Sequence, residues 1–274
     1  MQDRLIKLLE AVAGSAEPVS AIELSKMLDV PRATLYRNIT TLVKCGFLDE
    51  TNNGTRYQLG LRFVKIALTG KADGHVIGAV SGVMHNLVNE LGETAFMARY
   101  RGGRVDLIHN EIPLDPSVSY IYPGLGPRPA HACSSAKVIA AFISPELRDE
   151  LIETNPLRFN TSTIIEPDLI EKELNQVKRF GYAICDGEID EGVTSVAVPV
   201  NMDRLGAIFS IGIVGPSHRI KPVIQNRILP FLTQEAIRAA AAIQHCSISD
   251  AEAMNNQTIT VAQASIDPSL SYKH

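Results

Sequence analysis

The sequence predicts an α+β protein in two parts: an N-terminal winged helix-turn-helix and a larger C-terminal part with an antiparallel sheet. Two observations lead to this prediction. Residues 20–59 carry the pattern of a helix, a turn, a second helix and a two-stranded hairpin. After Gly92, alternating apolar and polar residues typical of strands are interspersed with amphipathic helices. A chain of 274 residues is long enough for each part to have a core.

The composition is that of an ordinary globular protein, with 45% apolar and 20% charged residues. No apolar run approaches the ~20 residues of a membrane span, and no signal peptide is evident, so we expect a cytoplasmic protein without a membrane partner. The cysteines lack CxxC spacing, and we expect reduced thiols at Cys45, Cys133, Cys185 and Cys246. The net charge of −4 divides into +2 for residues 1–70 (9 basic, 7 acidic) and −6 for the rest (17 basic, 23 acidic), which weakly favours an N-terminal nucleic-acid-binding module.

The helix-turn-helix is predicted from its start and stop signals. An apolar face on the first helix, from Leu5 to Val12, ends near Gly14. Ser20 and Glu23 form a capping box that begins a short second helix. Pro31 suits the first turn of the third helix, where a missing N–H costs nothing.

The third helix is predicted to have two different faces. Its buried face consists of Leu35, Ile39, Leu42 and Val43. The opposite face is basic, with Thr and Tyr among the charges and no acidic residue from Pro31 to Lys44, so it can contact phosphates and reach base edges. We expect it to bind double-stranded operator DNA, with contacts from Ser20, Arg32, Ala33, Thr34, Tyr36, Arg37, Thr40, Lys44 and Arg56. The alternative for any single Arg or Lys is an ordinary solvated helix face.

A hairpin after this helix is predicted to form the wing. Gly46 ends the helix as a left-handed cap. Residues 47–49 and 56–59 can pair around Asn53-Gly54, a strong hairpin-turn dipeptide. Arg56 on this hairpin is the best candidate there for a phosphate contact.

The remaining chain is predicted to continue through a linker into an α+β domain. We expect domain bounds of 1–60 for the winged helix-turn-helix, 61–74 for a linker helix, 75–250 for the second domain and 251–274 for a polar tail. Because one recognition helix reads only a half-site, we expect a homodimer. The predicted strands and helices are His75–Leu91 (helix), Thr94–Arg101 and Arg104–Ile112 (strands), Ser134–Phe142, a short helix after Pro145 and Pro167–Phe180 (helices), Tyr182–Asp186, Val193–Val200 and Leu205–Val214 (strands), and Val223–Cys246 (helix).

The chain from Leu5 to about His245 resembles the IclR family of bacterial transcriptional regulators. The segments that carry the resemblance are PRATLYRNITTLVKCGFL, GETAFMARYRGG, PRPAHACSSAKVIAAF, GYAICDGEIDEGVTSVAVPV and AIFSIGIVGPSHRI. The resemblance implies a GAF-like effector-binding domain in the C-terminal part. It also implies that the chain is a dimer or tetramer that represses or activates a catabolic operon, with repression relieved by ligand the commoner case.

The resemblance also implies the effector site. Small acids in the family bind over the start of the helix after the H-A motif, where amides and the helix dipole favour an anion. The matching positions are Cys133, Ser134, Ser135, Cys185 or Asp186, Ser195, Gly212 and Val214, with Tyr120 and Arg128 in the Pro/Gly loop. Members that bind glyoxylate or pyruvate have hydroxyls where this chain has Gly212 and Val214, and an acid where it has Cys185. A small carboxylate, semialdehyde or similar metabolite with a more apolar body is therefore expected.

Three of these residues have an alternative role without ligand binding: Arg128 as a surface guanidinium, and Ser134 and Ser195 as groups that cap the backbone. Residues of the same region also fit two other function classes. An enzyme would use His131, Cys133 and Ser134 as base and nucleophile, but no acid is evident to orient the base, so no catalytic residue is expected. A metal- or thiol-based sensor would use His131, Cys133 and Cys185, although their spacing is not that of a zinc site. We expect no cofactor and no metal.

Overall fold

The computed structural model describes residues 2–51, 54–60, 62–63, 66, 72–115, 121–152, 155–202 and 206–245. The chain divides into two compact units, Met1–Lys71 and Ala72–His274. Four predictions fall wholly or largely outside the described residues: most of the linker over 61–74, Tyr120, Cys246 and the tail over 251–274. Within the described part, no helix is both long and apolar enough to cross a membrane.

In its described residues up to Gly60, the first unit contains three helices and a small antiparallel sheet. Its elements are α1 (Gln2–Ala13), β1 (Val19–Ser20), α2 (Ala21–Leu28), α3 (Arg32–Lys44), β2 (Leu48–Thr51) and β3 (Arg56–Leu59). The sheet order is β1-β3-β2. The predicted hairpin is β2–β3; the two-residue β1, which pairs Val19 with Tyr57, was not predicted.

Local chain signals place the two central helices of this unit. The capping box is confirmed: the Glu23 N–H donates to Ser20 Oγ, and the Ser20 N–H donates to Glu23 Oε2 at 2.7 Å. Asp29 ends α2 in the left-handed conformation with φ of 49°. Pro31 is the N-cap of α3 and lies just before its first turn. Gly46 has φ of 73°, as the predicted left-handed turn requires.

The second unit is built on a six-stranded antiparallel sheet of order β6-β5-β4-β9-β8-β7. The strands are β4 (Thr94–Arg101), β5 (Arg104–Glu111), β6 (Gly126–Arg128), β7 (Ala183–Asp186), β8 (Val193–Asn201) and β9 (Ala207–Pro216). Its first helices are α4 (Asp73–Leu91), α5 (Ser134–Phe142), α6 (Pro145–Leu151) and α7 (Pro167–Phe180). The α+β fold class is as predicted. Strand β6 was missed, because it lies in the Pro/Gly-rich stretch.

Helices cover both faces of this sheet. Helix α5 packs on β8 and β9, and Ser210 Oγ of β9 donates to Ser135 O at 3.0 Å. Helix α4 packs on β4 and β5. Along β4 the side chains alternate between the faces, so Phe96 lies on the α5 side and Arg99, which is ion-paired with Asp73 of α4, lies on the other. Strands β4 and β9 are therefore buried on both sides.

The C-terminal helix differs from its prediction at the start. A short helix α8 (Ser217–Ile220) leads into a 3₁₀ turn (Lys221–Val223) and a π turn (Ile224–Ile228), and a regular helix α9 covers 229–245. Pro222 lacks an N–H, so it cannot continue the α-helical hydrogen bonding across this segment.

Candidate nucleic-acid interface and candidate ligand cavity

Helix α3 presents the basic face that its sequence predicts. Leu35, Ile39 and Leu42 are buried in the core of the first unit. The side chains on the other side are exposed: Arg32, Ala33, Tyr36, Arg37, Thr40 and Lys44. Thr34 is half-buried. The helix carries no acidic residue, so its outward face is positive along its whole length.

The side chains on this face differ in how far they are already engaged. Thr40 Oγ1 donates to Tyr36 O at 2.9 Å, so its only proton is used within the helix. Tyr36 is 49% exposed. Among the described residues, the exposed guanidinium and ammonium groups of Arg32, Arg37 and Lys44 form no ion pair, which leaves their donors to an external acceptor.

Ser20 and Arg56 have internal roles in the same unit. Ser20 caps α2 through the bonds given above. The Arg56 guanidinium donates to Pro18 O, and its Nη2 lies 3.6 Å from Glu23 Oε1. The side chain of Arg56 is still 41% exposed. A phosphate contact there would have to compete with Glu23.

A cavity of about 410 Å³ lies in the second unit, between the sheet, the start of α5, the loop before β6 and the loop around Ile189. Most predicted effector residues line it: Arg128, Cys133, Ser134, Ser135, Cys185, Ser195 and Val214. Such a volume is within the usual range for small-molecule sites. Residues from five different elements and loops thus meet around one space.

The floor of the cavity includes a row of side chains across three strands. Cys185 of β7 pairs with Ser195 of β8, and Ser195 pairs with Val214 of β9. Ser134 Oγ at the start of α5 is 2.7 Å from Ser195 Oγ. This hydrogen bond joins helix α5 to strand β8 at the cavity.

The first turn of α5 is suited to an anion. Cys133 is the N-cap, and its side chain makes no capping hydrogen bond. Its carbonyl accepts from the amides of Ala136 and Lys137, whereas the two preceding amides, of Ser134 and Ser135, have no acceptor within the helix. Both serines line the cavity. Unpaired amides and the helix dipole favour negative charge at such a position.

Arg128 supplies a positive group at the cavity wall. Its guanidinium donates to Pro127 O at 3.1 Å and to Gly124 O. No ion pair within the described part of the chain includes Arg128. Because a guanidinium has five N–H donors, others remain for a ligand. In contrast, the ammonium of the buried Lys137 is held by Glu173 and Glu188 at 2.6–2.8 Å.

The two cavity thiols are neutral at physiological pH. Burial is the main cause that raises the pKa of Cys133 to about 12 and that of Cys185 to about 11. A thiol in this state is a poor nucleophile and a poor metal ligand. Among the described residues, no three His, Cys, Asp or Glu side chains gather as a metal site. Neither the enzyme alternative nor the metal-sensor alternative is favoured.

His131 is engaged in packing. Its Nε2 is 2.9 Å from Leu157 O, and its ring stacks on Phe159 with centroids 6.0 Å apart. Phe159 lines the cavity. The same wall is tied to the opposite loop by the Asn160 side chain, which donates to Gly187 O and Ile189 O at 2.7 and 3.2 Å. His131 thus supports a cavity wall.

Two predicted effector residues do not line the cavity. Asp186 follows Cys185 on β7 and therefore points to the other face, where it accepts from Thr194 Oγ1 at 2.8 Å and pairs with Lys221 at 2.6 Å. Gly212 lies beneath the ring of Phe96, and its lack of a side chain leaves room for that ring. Tyr120 lies outside the described residues.

The prediction missed the apolar wall of the cavity. Phe96, Leu107, Phe159 and Ile189 line it together with Val214. Phe96 belongs to the quoted segment GETAFMARYRGG, where strand alternation gave a usable signal. Phe159 and Ile189 lie in loops, where no periodicity could have indicated them.

Two family models match the chain. The model of the bacterial transcriptional regulator IclR C-terminal domain matches residues 72–245, and the IclR helix-turn-helix domain matches residues 3–51. Among curated relatives, the glycerol operon regulatory protein of Streptomyces coelicolor is 26% identical over 219 residues, covering 80% of this chain and 85% of that protein. The transcriptional repressor IclR of Escherichia coli is also 26% identical over 219 residues, with coverage of 79% and 80%.

Solved structures share the fold. A putative IclR transcriptional regulator from a Silicibacter species superposes with a TM-score of 0.58 at 20% identity, covering 88% of this chain and 95% of that one. An IclR homologue from Microbacterium hydrocarbonoxydans, complexed with 4-hydroxybenzoate, gives a TM-score of 0.53 at 22% identity, with coverage of 88% and 98%. At these identities the likeness shows the fold alone.

Proposed function

The chain belongs to the IclR family of bacterial transcriptional regulators, and we propose that it is a repressor whose binding to an operator changes when a small carboxylate occupies the cavity. The observation that carries this proposal is the exposed, acid-free face of α3 in a chain that also has an anion-suited cavity. The protein is a regulator and not an enzyme.

The DNA-binding part of the proposal rests on the winged helix-turn-helix. Arg32, Arg37 and Lys44 lie on one exposed helix face, with Tyr36 between them. We assign the operator contacts to this face. In this proposal residues 1–60 bind DNA, and residues 75–250 bind the effector. Because one such helix reads a half-site, a homodimer or homotetramer binds the operator. A regulator of this kind acts in the cytoplasm.

The effector part of the proposal rests on the polar side of the cavity. The Ser134 and Ser135 amides, the Ser134–Ser195 hydroxyl pair and Arg128 can together hold a carboxylate. The neutral thiols of Cys133 and Cys185 add no negative charge that would repel it. Membership of one family, rather than the likeness in fold, makes it relevant that an IclR homologue from Microbacterium hydrocarbonoxydans is complexed with a carboxylate, 4-hydroxybenzoate. Relatives named as an acetate operon repressor and a transcriptional repressor support repression of an operon.

Substitutions on α3 test the DNA-binding part. We expect Arg32→Ala and Arg37→Ala each to weaken binding to a duplex selected from a random-sequence pool by the wild-type chain. Loss of one base-reading contact costs about 1–3 kcal/mol. Fluorescence anisotropy at fixed salt measures the change. Lys172→Ala, at an exposed position on α7, is the matched control and leaves the affinity unchanged. Wild-type affinity in both Arg variants would contradict the assignment of α3.

A further inference from the structure

The ring of Phe96 lies directly on the backbone of Gly212. A Cβ added to Gly212 would come within 2.4 Å of Phe96 Cζ and 2.3 Å of Val196 O. Any side chain at this position would therefore displace the ring or the neighbouring strand. Glycine in a strand interior often marks a close approach of this kind. The position of the Phe96 ring depends on the absence of a side chain at Gly212.

The register explains why the ring can lie there. Phe96 of β4 pairs with Gly212 of β9, which pairs with Ala197 of β8, which pairs with Ala183 of β7. Phe96 is thus the one large side chain among these four, and on its other side it pairs with Asn110 of β5. The next row on the same face, two residues along, is Val214–Ser195–Cys185.

The lining of the cavity combines polar and apolar groups. Its polar groups, taken together as the polar side, are the Ser134–Ser195 pair, the first turn of α5 and Arg128. Phe96, Leu107 and Phe159 contribute apolar surface to the remainder. A two- or three-carbon acid bound at the polar side would fill only a small part of 410 Å³. A ring-sized apolar body would instead cover these walls and remove them from water.

We propose that Phe96, seated on Gly212, is a specificity-determining residue of the cavity, which selects carboxylates with a ring-sized apolar body over two- and three-carbon acids. This inference rests on the proposed function, because it takes the cavity as the effector site. Phe96 acts by contact with the body of the ligand and leaves the carboxylate to the polar side. It therefore controls the ratio of affinities between the two ligand classes.

Calorimetric titration of the full chain tests this proposal with named probes: benzoate and phenylacetate against pyruvate and glyoxylate. We expect the wild-type chain to bind the ring-bearing acids more tightly. Phe96→Ala and the milder Phe96→Leu should reduce this preference roughly fivefold or more, because a lost aromatic contact and its apolar area mainly affect the larger ligands.

Met97 provides the matched control. It is the next residue on β4, is equally buried, and does not line the cavity. Met97→Leu and Met97→Ala report any general loss of stability and should leave the preference unchanged. If Phe96→Ala fails to fold, the ligand preferences of Phe96→Leu and Met97→Leu can still be compared. An unchanged preference in Phe96→Leu would overturn the proposal.

The affinities of the wild-type chain separate a wrong role for Phe96 from a wrong carboxylate site. If the wild-type chain binds pyruvate or glyoxylate at least as tightly as benzoate and phenylacetate, the role of Phe96 is overturned but the carboxylate site is retained. Ser195→Ala should weaken both ligand classes alike, since it alters the polar side. If none of the four acids binds, the carboxylate assignment fails and the inference fails with it.

Discussion

The residues around the cavity owe their chemistry to burial. Cys133 and Cys185 are buried thiols whose pKa values are raised to about 12 and 11, whereas Cys45 is exposed. Since the thiolate is the reactive form, the two buried thiols should be slow to react. Because both thiols are protonated, they carry no negative charge that would repel an anion in the cavity.

Alkylation mapped by mass spectrometry tests this account of the thiols. At pH 8 we expect iodoacetamide to modify Cys45 and to leave Cys133 and Cys185 largely unmodified in the native chain. The folded-state pKa values exceed the ordinary thiol value of 9.0. The stability that comes from keeping these thiols neutral is therefore present below about pH 9 and is lost as the pH rises through 11 to 12. Rapid labelling of Cys133 at pH 8, as fast as that of Cys45, would contradict the assignment.

Some features of single residues can be predicted from the sequence, and others depend on long-range strand pairing. The capping box of Ser20 and Glu23 was predictable because both partners lie within four positions of each other. The placement of Phe96 over Gly212 was not, because it depends on the pairing of strands more than 100 residues apart. Of the alternatives Cys185 and Asp186, Cys185 lines the cavity, because a step of one position in a strand reverses the face.

At the scale of elements, α2 and α3 are positioned by their own termini. Ser20 begins α2, Asp29 ends it and Pro31 precedes α3, so the outward face of α3 follows from local signals. Strand β6 had no such signal, since its pairing with β5 is a tertiary contact made by Gly126, Pro127 and Arg128. The row of Cys185, Ser195 and Val214 likewise follows from long-range register.

Removal of the cap tests the local origin of α2. We expect Ser20→Ala to destabilise α2 by about 1 kcal/mol, because the Glu23 N–H loses its acceptor and the Glu23 carboxylate loses the hydroxyl donor of Ser20. Native-state hydrogen exchange on the full chain should then show amides of α2 exchanging roughly fivefold faster. Ser20→Asn, which retains a capping side chain, is the control and should exchange close to the wild-type rate. Equal exchange in Ser20→Ala and wild-type would show that the cap does not position α2.

At the scale of the whole molecule, the chain combines two separable chemistries. The first unit has a positive helix face suited to phosphates and base edges, and the second has a cavity with a polar and an apolar side. If ligand and DNA affect each other's affinity, linkage requires the effect to be reciprocal. Coupling of this kind typically changes affinity by about 5- to 150-fold.

The central claim is that occupation of the cavity changes the affinity for the operator. The most direct measurement is the dissociation constant of the full chain for its selected duplex, with and without a saturating carboxylate from the four-acid panel. We predict a change of at least about fivefold in the wild-type chain. The change should disappear in Arg128→Gln and Ser195→Ala at the same ligand concentration, while their ligand-free operator binding stays intact. An operator affinity that does not change when calorimetry shows the cavity to be saturated would contradict the claim.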